Sequence, residues 1–127
     1  MKARFVEHRQ EFEQLQKMFQ HDVQPSALSI GLDWVQKDDG SVLPPAQIEH
    51  YHVLMKKLGL WRIDGSKNRF RMYVFGGGFT DTSWSIGYAF SLQKPKNIVT
   101  SAYKRQFVRD QTVYSPLGDK WYLYQLR

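Results

Sequence analysis

The residues best suited to chemistry lie in one loop, GGGFTDTS at residues 76–83, between two stretches rich in aromatic and β-branched residues. Its glycines could cradle a phosphate, but a P-loop requires a lysine followed by a helix, and a dinucleotide fingerprint must also open a helix. No histidine lies nearby in sequence to activate a hydroxyl. The pattern therefore predicts a glycine-rich hairpin loop whose tip is the candidate ligand contact. The tip residues are Phe79, Thr80, Asp81, Thr82 and Ser83.

Metal binding is not indicated by the histidines or by the paired acidic residues Asp38 and Asp39. Residues two apart on a helix point about 200° apart, so His50 and His52 cannot chelate one ion. An EF-hand needs further oxygen ligands at fixed offsets, and the chain has no cysteine for a thiolate site. We therefore expect no metal and no cofactor, a surface loop with a turn at Asp39–Gly40, and four solvent-exposed histidines. These are His8, His21, His50 and His52.

Charge is distributed unevenly along the 127 residues, whose net charge is +6. Residues 1–55 hold five basic and eight acidic residues, or −3, and residues 56–127 hold thirteen and four, or +9. A basic half could bind nucleic acid or an acidic protein. Tyr103, Lys104 and Arg105 resemble the mixture of basic and aromatic residues that binds single-stranded nucleic acid. Because no RNA-recognition, zinc-finger or helix-turn-helix pattern is present, nucleic-acid binding is an alternative and not the leading prediction.

The length and composition indicate one globular domain spanning residues 1–127. No apolar run approaches the roughly 18 residues that a membrane span needs. The N-terminus has basic residues but no apolar signal-like region. The chain as given is thus expected in the cytoplasm, and in the periplasm or envelope if a signal segment was removed before Met1.

Two helices are predicted by apolar spacing and by end signals. The stretch Arg4–His21 carries apolar residues at helical intervals, namely Phe5, Phe12, Leu15, Met18 and Phe19. The second helix, Pro45–Leu58, begins with a proline and ends before Gly59, which suits a left-handed C-terminal position. Its predicted core stripe is Ile48, Tyr51, Met55 and Leu58.

Strand-like segments occupy most of the remaining chain. In Trp84–Ser91, small residues lie opposite the aromatic face and predict close packing against that strand. In Lys120–Leu126, both faces are largely apolar, which predicts a central strand. Together these elements predict an α+β domain with two helices packed on a mainly antiparallel sheet of five or six strands. The predicted strands are Leu28–Val35, Trp61–Ile63, Arg69–Phe75, Trp84–Ser91, Thr112–Ser115 and Lys120–Leu126, with turns at Asp64–Asn68 and Gly118–Asp119.

Three short motifs resemble a group of small uncharacterised bacterial proteins. They are GYAFS at Gly87–Ser91, WYLY at Trp121–Tyr124 and KLGL at Lys57–Leu60. The resemblance covers about residues 28–126 and implies a bacterial protein, often made behind a secretory or lipoprotein signal. No catalytic residue is attached to it.

These observations predict a non-enzymatic bacterial binding or interaction module, immunity-like or accessory, whose partner is another protein. One alternative is a nucleic-acid-binding domain that uses the basic C-terminal half. The other is a small hydrolase with a cleft near Gly76–Ser83. The predicted contact residues are Phe79, Thr80, Asp81, Thr82, Ser83, Tyr103, Lys104 and Arg105.

Overall fold

The computed structural model describes residues 1–23, 27–77, 84–98 and 112–126. In chain order the elements are α1 (Lys2–Glu7), α2 (Arg9–Asp22), β1 (Leu28–Gly31), β2 (Val35–Lys37), α3 (Pro45–Leu58), β3 (Arg62–Ser66), β4 (Arg69–Gly77), β5 (Trp84–Ser91), β6 (Thr112–Gly118) and β7 (Trp121–Leu126). No helix in these ranges combines the length and apolarity needed to cross a membrane.

The described strands form a single antiparallel sheet in the order β2-β1-β3-β4-β5-β7-β6. The predicted α+β class and antiparallel sheet are confirmed. The sheet has seven described strands, where five or six were predicted, because one predicted strand is a hairpin. As predicted, β7 is an inner strand: it pairs with β5 on one side and with β6 on the other.

The predicted Arg4–His21 helix is interrupted at His8, whose φ of −111° and ψ of 29° lie outside the helical region. The interruption separates α1 from α2, while the apolar spacing continues across it, so the sequence pattern does not reveal the break. Phe5 and Phe12, on either side, pack with ring centroids 5.1 Å apart. Both rings also contact Tyr88 of the sheet, at 6.0 and 4.6 Å.

The second helix was predicted with its observed ends, Pro45 and Leu58. Gly59 adopts φ 71° and ψ 31°, the left-handed conformation expected at this position. The Leu60 N–H then donates to the Met55 carbonyl at 2.9 Å, and the Leu60 side chain is buried, completing the cap. Leu54 joins the predicted stripe, while Ile48 is only partly buried.

The predicted strand Leu28–Val35 is wrong in its middle, because the chain reverses after Gly31. The Gly31 N–H donates to the Trp34 carbonyl at 2.9 Å, and Ile30 pairs with Val35. Regular alternation of apolar and polar residues through this stretch favoured one continuous strand. A methyl group at Gly31 would overlap the Trp34 indole, which folds back onto the glycine, so Gly31 allows this close contact.

Two predicted turns are shifted. Residues Asp64–Ser66 belong to β3, so the turn before β4 consists of Lys67 and Asn68 alone. The closing hairpin turns at Asp119 and Lys120, one residue later than predicted, and Gly118 pairs with Trp121. Both turn residues have positive φ, 53° and 71°, as a type I′ turn requires, although neither is a glycine.

The sheet has two unlike faces. The helices cover the first face, where aromatic and aliphatic side chains form the main core. The second face carries a smaller cluster built from Ala89, Tyr114 and Tyr124, with Tyr73, Ile98, Tyr122 and Leu126 packed against it. Along this face, cross-strand pairing aligns one row of residues from β3 to β6. The row is Arg62, Tyr73, Gly87, Tyr124 and Tyr114.

Candidate functional site

The contact residues predicted from sequence lie outside the described residues. This applies to the loop tip Phe79–Ser83 and to the group Tyr103–Arg105. Those predictions therefore stay predictions, and the candidate site is built from the described strands.

The histidines are distributed over the helical elements and contact different partners. His21 and His50 are exposed as predicted, while His8 and His52 are only partly exposed. The His52 Nε2 atom lies 3.0 Å from the Gly31 carbonyl oxygen, so this side chain joins α3 to the β1–β2 turn. Within the described ranges, no group of three His, Asp or Glu side chains is placed to hold a metal ion.

The acidic pair Asp38–Asp39 lies in a turn, as predicted. Asp39 Oδ1 accepts hydrogen bonds from the Ser41 N–H at 2.9 Å and from the Ser41 hydroxyl at 2.7 Å. These hydrogen bonds hold the pKa of the Asp39 carboxyl below its usual value. The carboxylate thus stabilises the local backbone as in an Asx turn.

A cluster of aromatic and charged side chains lies at the β3 end of the second face. We call it the Trp–Arg patch and define it as Trp34, Trp61, Arg62, Asp64 and Tyr73. The Arg62 guanidinium carbon lies 5.5 Å from the Trp34 ring centroid and 5.4 Å from that of Tyr73. Both distances are within the range of cation–π attraction, so the cation is bracketed by two rings.

Asp64 fixes two members of the patch. Its Oδ2 atom lies 2.8 Å from Arg62 Nε, and its Oδ1 atom accepts a hydrogen bond from the Tyr73 hydroxyl at 3.2 Å. Burial, followed by the Asp64 charge, raises the pKa of Tyr73, so this hydroxyl stays protonated and donating at neutral pH. The same carboxylate therefore forms an ion pair with the arginine and a hydrogen bond with the tyrosine.

Two tryptophans give the patch its accessible apolar surface. Trp34 and Trp61 are each 40% exposed. The Trp61 ring packs edge-on against Tyr73, with centroids 5.5 Å apart. Leu32, in the neighbouring turn, is also exposed. Large apolar side chains left half in water beside an ordered arginine are suited to contact a partner.

Sequence reasoning missed this patch because its parts come from three separate segments. Trp34 was placed within one continuous strand, Leu28–Val35, and Asp64 within a turn. Their proximity arises from the β1–β2 reversal and from the pairing of β3 with β4. The available signal was Gly31, since a glycine inside an alternating pattern often marks a close approach.

Comparison of the chain with protein-family models, with curated proteins and with solved structures gives no match.

Proposed function

We propose that the protein is a binding module that recognises a partner protein through the Trp–Arg patch. The observation that carries this proposal is the bracketing of Arg62 by Trp34 and Tyr73, with Asp64 holding the cation and Trp61 exposed beside it. Tryptophan, tyrosine and arginine are the residues that most often dominate the binding energy of protein interfaces. Because the arginine is already ordered, a partner that contacts it loses less conformational entropy on binding.

The charge of the patch favours a protein over a nucleic acid. Arg62 is neutralised by Asp64, so the patch carries no net charge with which to bind phosphates. Stacking of bases on the two indoles is the alternative use of the same surface. Nucleic-acid binding would weaken steeply with salt, whereas an apolar protein contact would not.

The bacterial immunity-like or accessory role stays a prediction that the sequence resemblance supports. The hydrolase alternative depends on a cleft near Gly76–Ser83 that would hold Asp81 or a histidine, and residues 78–83 of that loop lie outside the described ranges.

The test is affinity capture from native cell extract, followed by binding measurements with the purified partner. We expect Trp61→Ala and Arg62→Ala each to weaken partner binding at least tenfold, because central aromatic and arginine contacts dominate interfaces. Arg69→Ala, which removes an exposed arginine from β4, is the matched control and should bind normally. Full binding by both patch variants, or capture of nucleic acid alone, would overturn the proposal.

A further inference from the structure

A cavity of about 510 Å³ lies between α2 and the end of the sheet where β6 turns into β7. Sites that bind small molecules typically enclose about 300–1,000 Å³, so the volume is sufficient for such a ligand. The cavity is reached from solvent, because the exposed side chains of Lys17, Leu92 and Lys120 are part of its lining. Every residue that lines it belongs to the described ranges.

Arg9 forms an ordered wall of this cavity. Its Nε atom lies 2.9 Å from Glu13 Oε1, and its Nη2 atom lies 2.8 Å from Asp119 Oδ2. Its guanidinium carbon also lies 4.9 Å from the Phe5 ring centroid, within the range of cation–π attraction. These contacts join α2 to the β6–β7 turn and place both acidic residues of the lining beside one arginine.

The charge of the lining favours an anionic ligand. Three of the lining residues are basic and two are acidic, so the net charge of the lining is positive. Because Arg9 contacts both acidic residues, the positive excess comes from Lys17 and Lys120. Lys17 belongs to α2 and Lys120 to the turn, so a ligand in the cavity is within the reach of cations from two elements. Lysine ammonium groups bind phosphate as compact point charges.

The backbone conformation of Lys120 is a second, independent observation. Its φ of 71° disfavours a residue with a Cβ atom, and glycine is the usual residue at this position of a type I′ turn. Asp119, with φ 53°, is of a type that tolerates this conformation more readily. Residues held in such unfavourable conformations cluster at functional sites. Here the unfavourable residue is the one that brings a cation to the cavity from the turn.

We propose that this cavity binds a small molecule that carries a phosphoryl group, which Lys17 and Lys120 contact. A phosphoryl group carries up to two negative charges and three acceptor oxygens, so it pairs with two lysines better than a carboxylate does. The exposed Leu92 side chain provides apolar contact for the rest of the molecule. The cavity shares no residue with the Trp–Arg patch, so either proposal can fail without the other.

Titration of the whole protein with ribose 5-phosphate, inorganic phosphate and acetate tests the site. Ionic strength is held constant with chloride, and the readout is the NMR signal of each backbone amide. We expect saturable shifts at Lys17 and Lys120, with ribose 5-phosphate binding more tightly than inorganic phosphate and acetate binding most weakly. No saturable shift with ribose 5-phosphate, or an equal response to acetate, would overturn the proposal. Equal affinity for inorganic phosphate and ribose 5-phosphate would show an adventitious ion only and would also contradict it.

Four variants separate specific binding from general charge effects and from loss of folding. Lys17→Gln and Lys120→Gln should each weaken binding of ribose 5-phosphate by about fivefold or more, since each removes a cation from the lining. Lys56→Gln, which removes an exposed lysine of α3 outside the cavity, should bind normally. Lys120→Gly should bind as weakly as Lys120→Gln while its Tm rises, because glycine relieves the positive φ. Equal weakening in Lys17→Gln and Lys56→Gln would show non-specific screening and contradict the site, as would full binding by Lys120→Gly.

Discussion

The two faces of the sheet use aromatic residues in opposite ways. On the first face, Tyr88 and Trp121 pack against Phe12 of α2, with centroid separations of 4.6 and 5.9 Å, and all three are buried. On the second face, Tyr73 and Tyr124 contact arginine side chains as well as each other. Aromatic rings thus stabilise the fold on one face and present cations on the other.

This difference shows why one sheet can provide both a stable core and a candidate binding surface. Apolar rings packed on each other gain most when water is excluded completely. Rings that hold an arginine keep a charged group near the surface, where it remains able to contact a ligand. We therefore expect substitutions on the first face to act on stability and those on the second face to act on binding.

The largest expected effect is the loss of β7, the strand that contributes to both faces. Trp121 belongs to the main core and Tyr124 to the second cluster. Removal of residues 121–127 should abolish cooperative thermal unfolding, because β6 would be cut off from the rest of the sheet and β5 would lose one of its two neighbouring strands. Removal of Arg127 alone is the control. A cooperative transition in the longer truncation would show that the faces do not depend on a shared strand.

The second prediction compares equivalent truncations on the two faces. Phe12→Ala should lower the free energy of unfolding by about 3–5 kcal/mol, since it leaves a cavity among buried rings. Tyr73→Ala should cost about 1–2 kcal/mol, because its ring is only partly buried. Chemical denaturation of both variants measures the difference. Equal costs would mean that the second face is as much a core as the first.

Much of the fold could be predicted from sequence because its signals are local. The proline and glycine that bound α3, and the alternation within β4, β5 and β7, depend on neighbouring residues alone. The two-sided apolar pattern of Trp121–Leu126 also predicted an inner strand correctly. The β1–β2 reversal escaped prediction because alternation in Leu28–Val35 fits either one strand or a hairpin.

The arginine–aromatic contacts of the second face could not be predicted because they depend on pairing between distant strands. Arg62 lies near Trp34 only after the chain reverses at Gly31, and Arg71 lies near Tyr124 only after β4, β5 and β7 are aligned. Sequence alone favoured the glycine-rich loop because its functional residue types are contiguous. Cross-strand rows bring together side chains that are far apart in the chain.

The third prediction concerns acid stability and the helical layer. Burial alone would raise the pKa of Asp22, but hydrogen bonds from Gln47 and Tyr51, both at 2.7 Å, and contact with His21 outweigh it, so the pKa is lowered. A carboxyl group whose pKa is lower in the folded protein than in the unfolded chain stabilises the fold at pH values above the unfolded pKa. This contribution is lost as the pH falls below about 4.

Asp22→Asn should therefore flatten the acid limb of the stability–pH profile, and Tyr51→Phe should flatten it partly by removing one donor to the carboxylate. Denaturant unfolding between pH 2 and pH 7 measures both slopes. An unchanged slope in Asp22→Asn would show that this link between α2 and α3 does not contribute to acid sensitivity.

The smallest expected effect tests whether stability can be gained away from the Trp–Arg patch. Lys120 has a φ of 71°, which disfavours a residue with a Cβ atom, so Lys120→Gly should raise the free energy of unfolding by about 0.5–1 kcal/mol. Asp119→Gly should gain less, because it also removes the 2.8 Å contact between Asp119 and Arg9. Partner binding should be unchanged in both variants, and an absence of any gain in Lys120→Gly would show that the turn is unstrained.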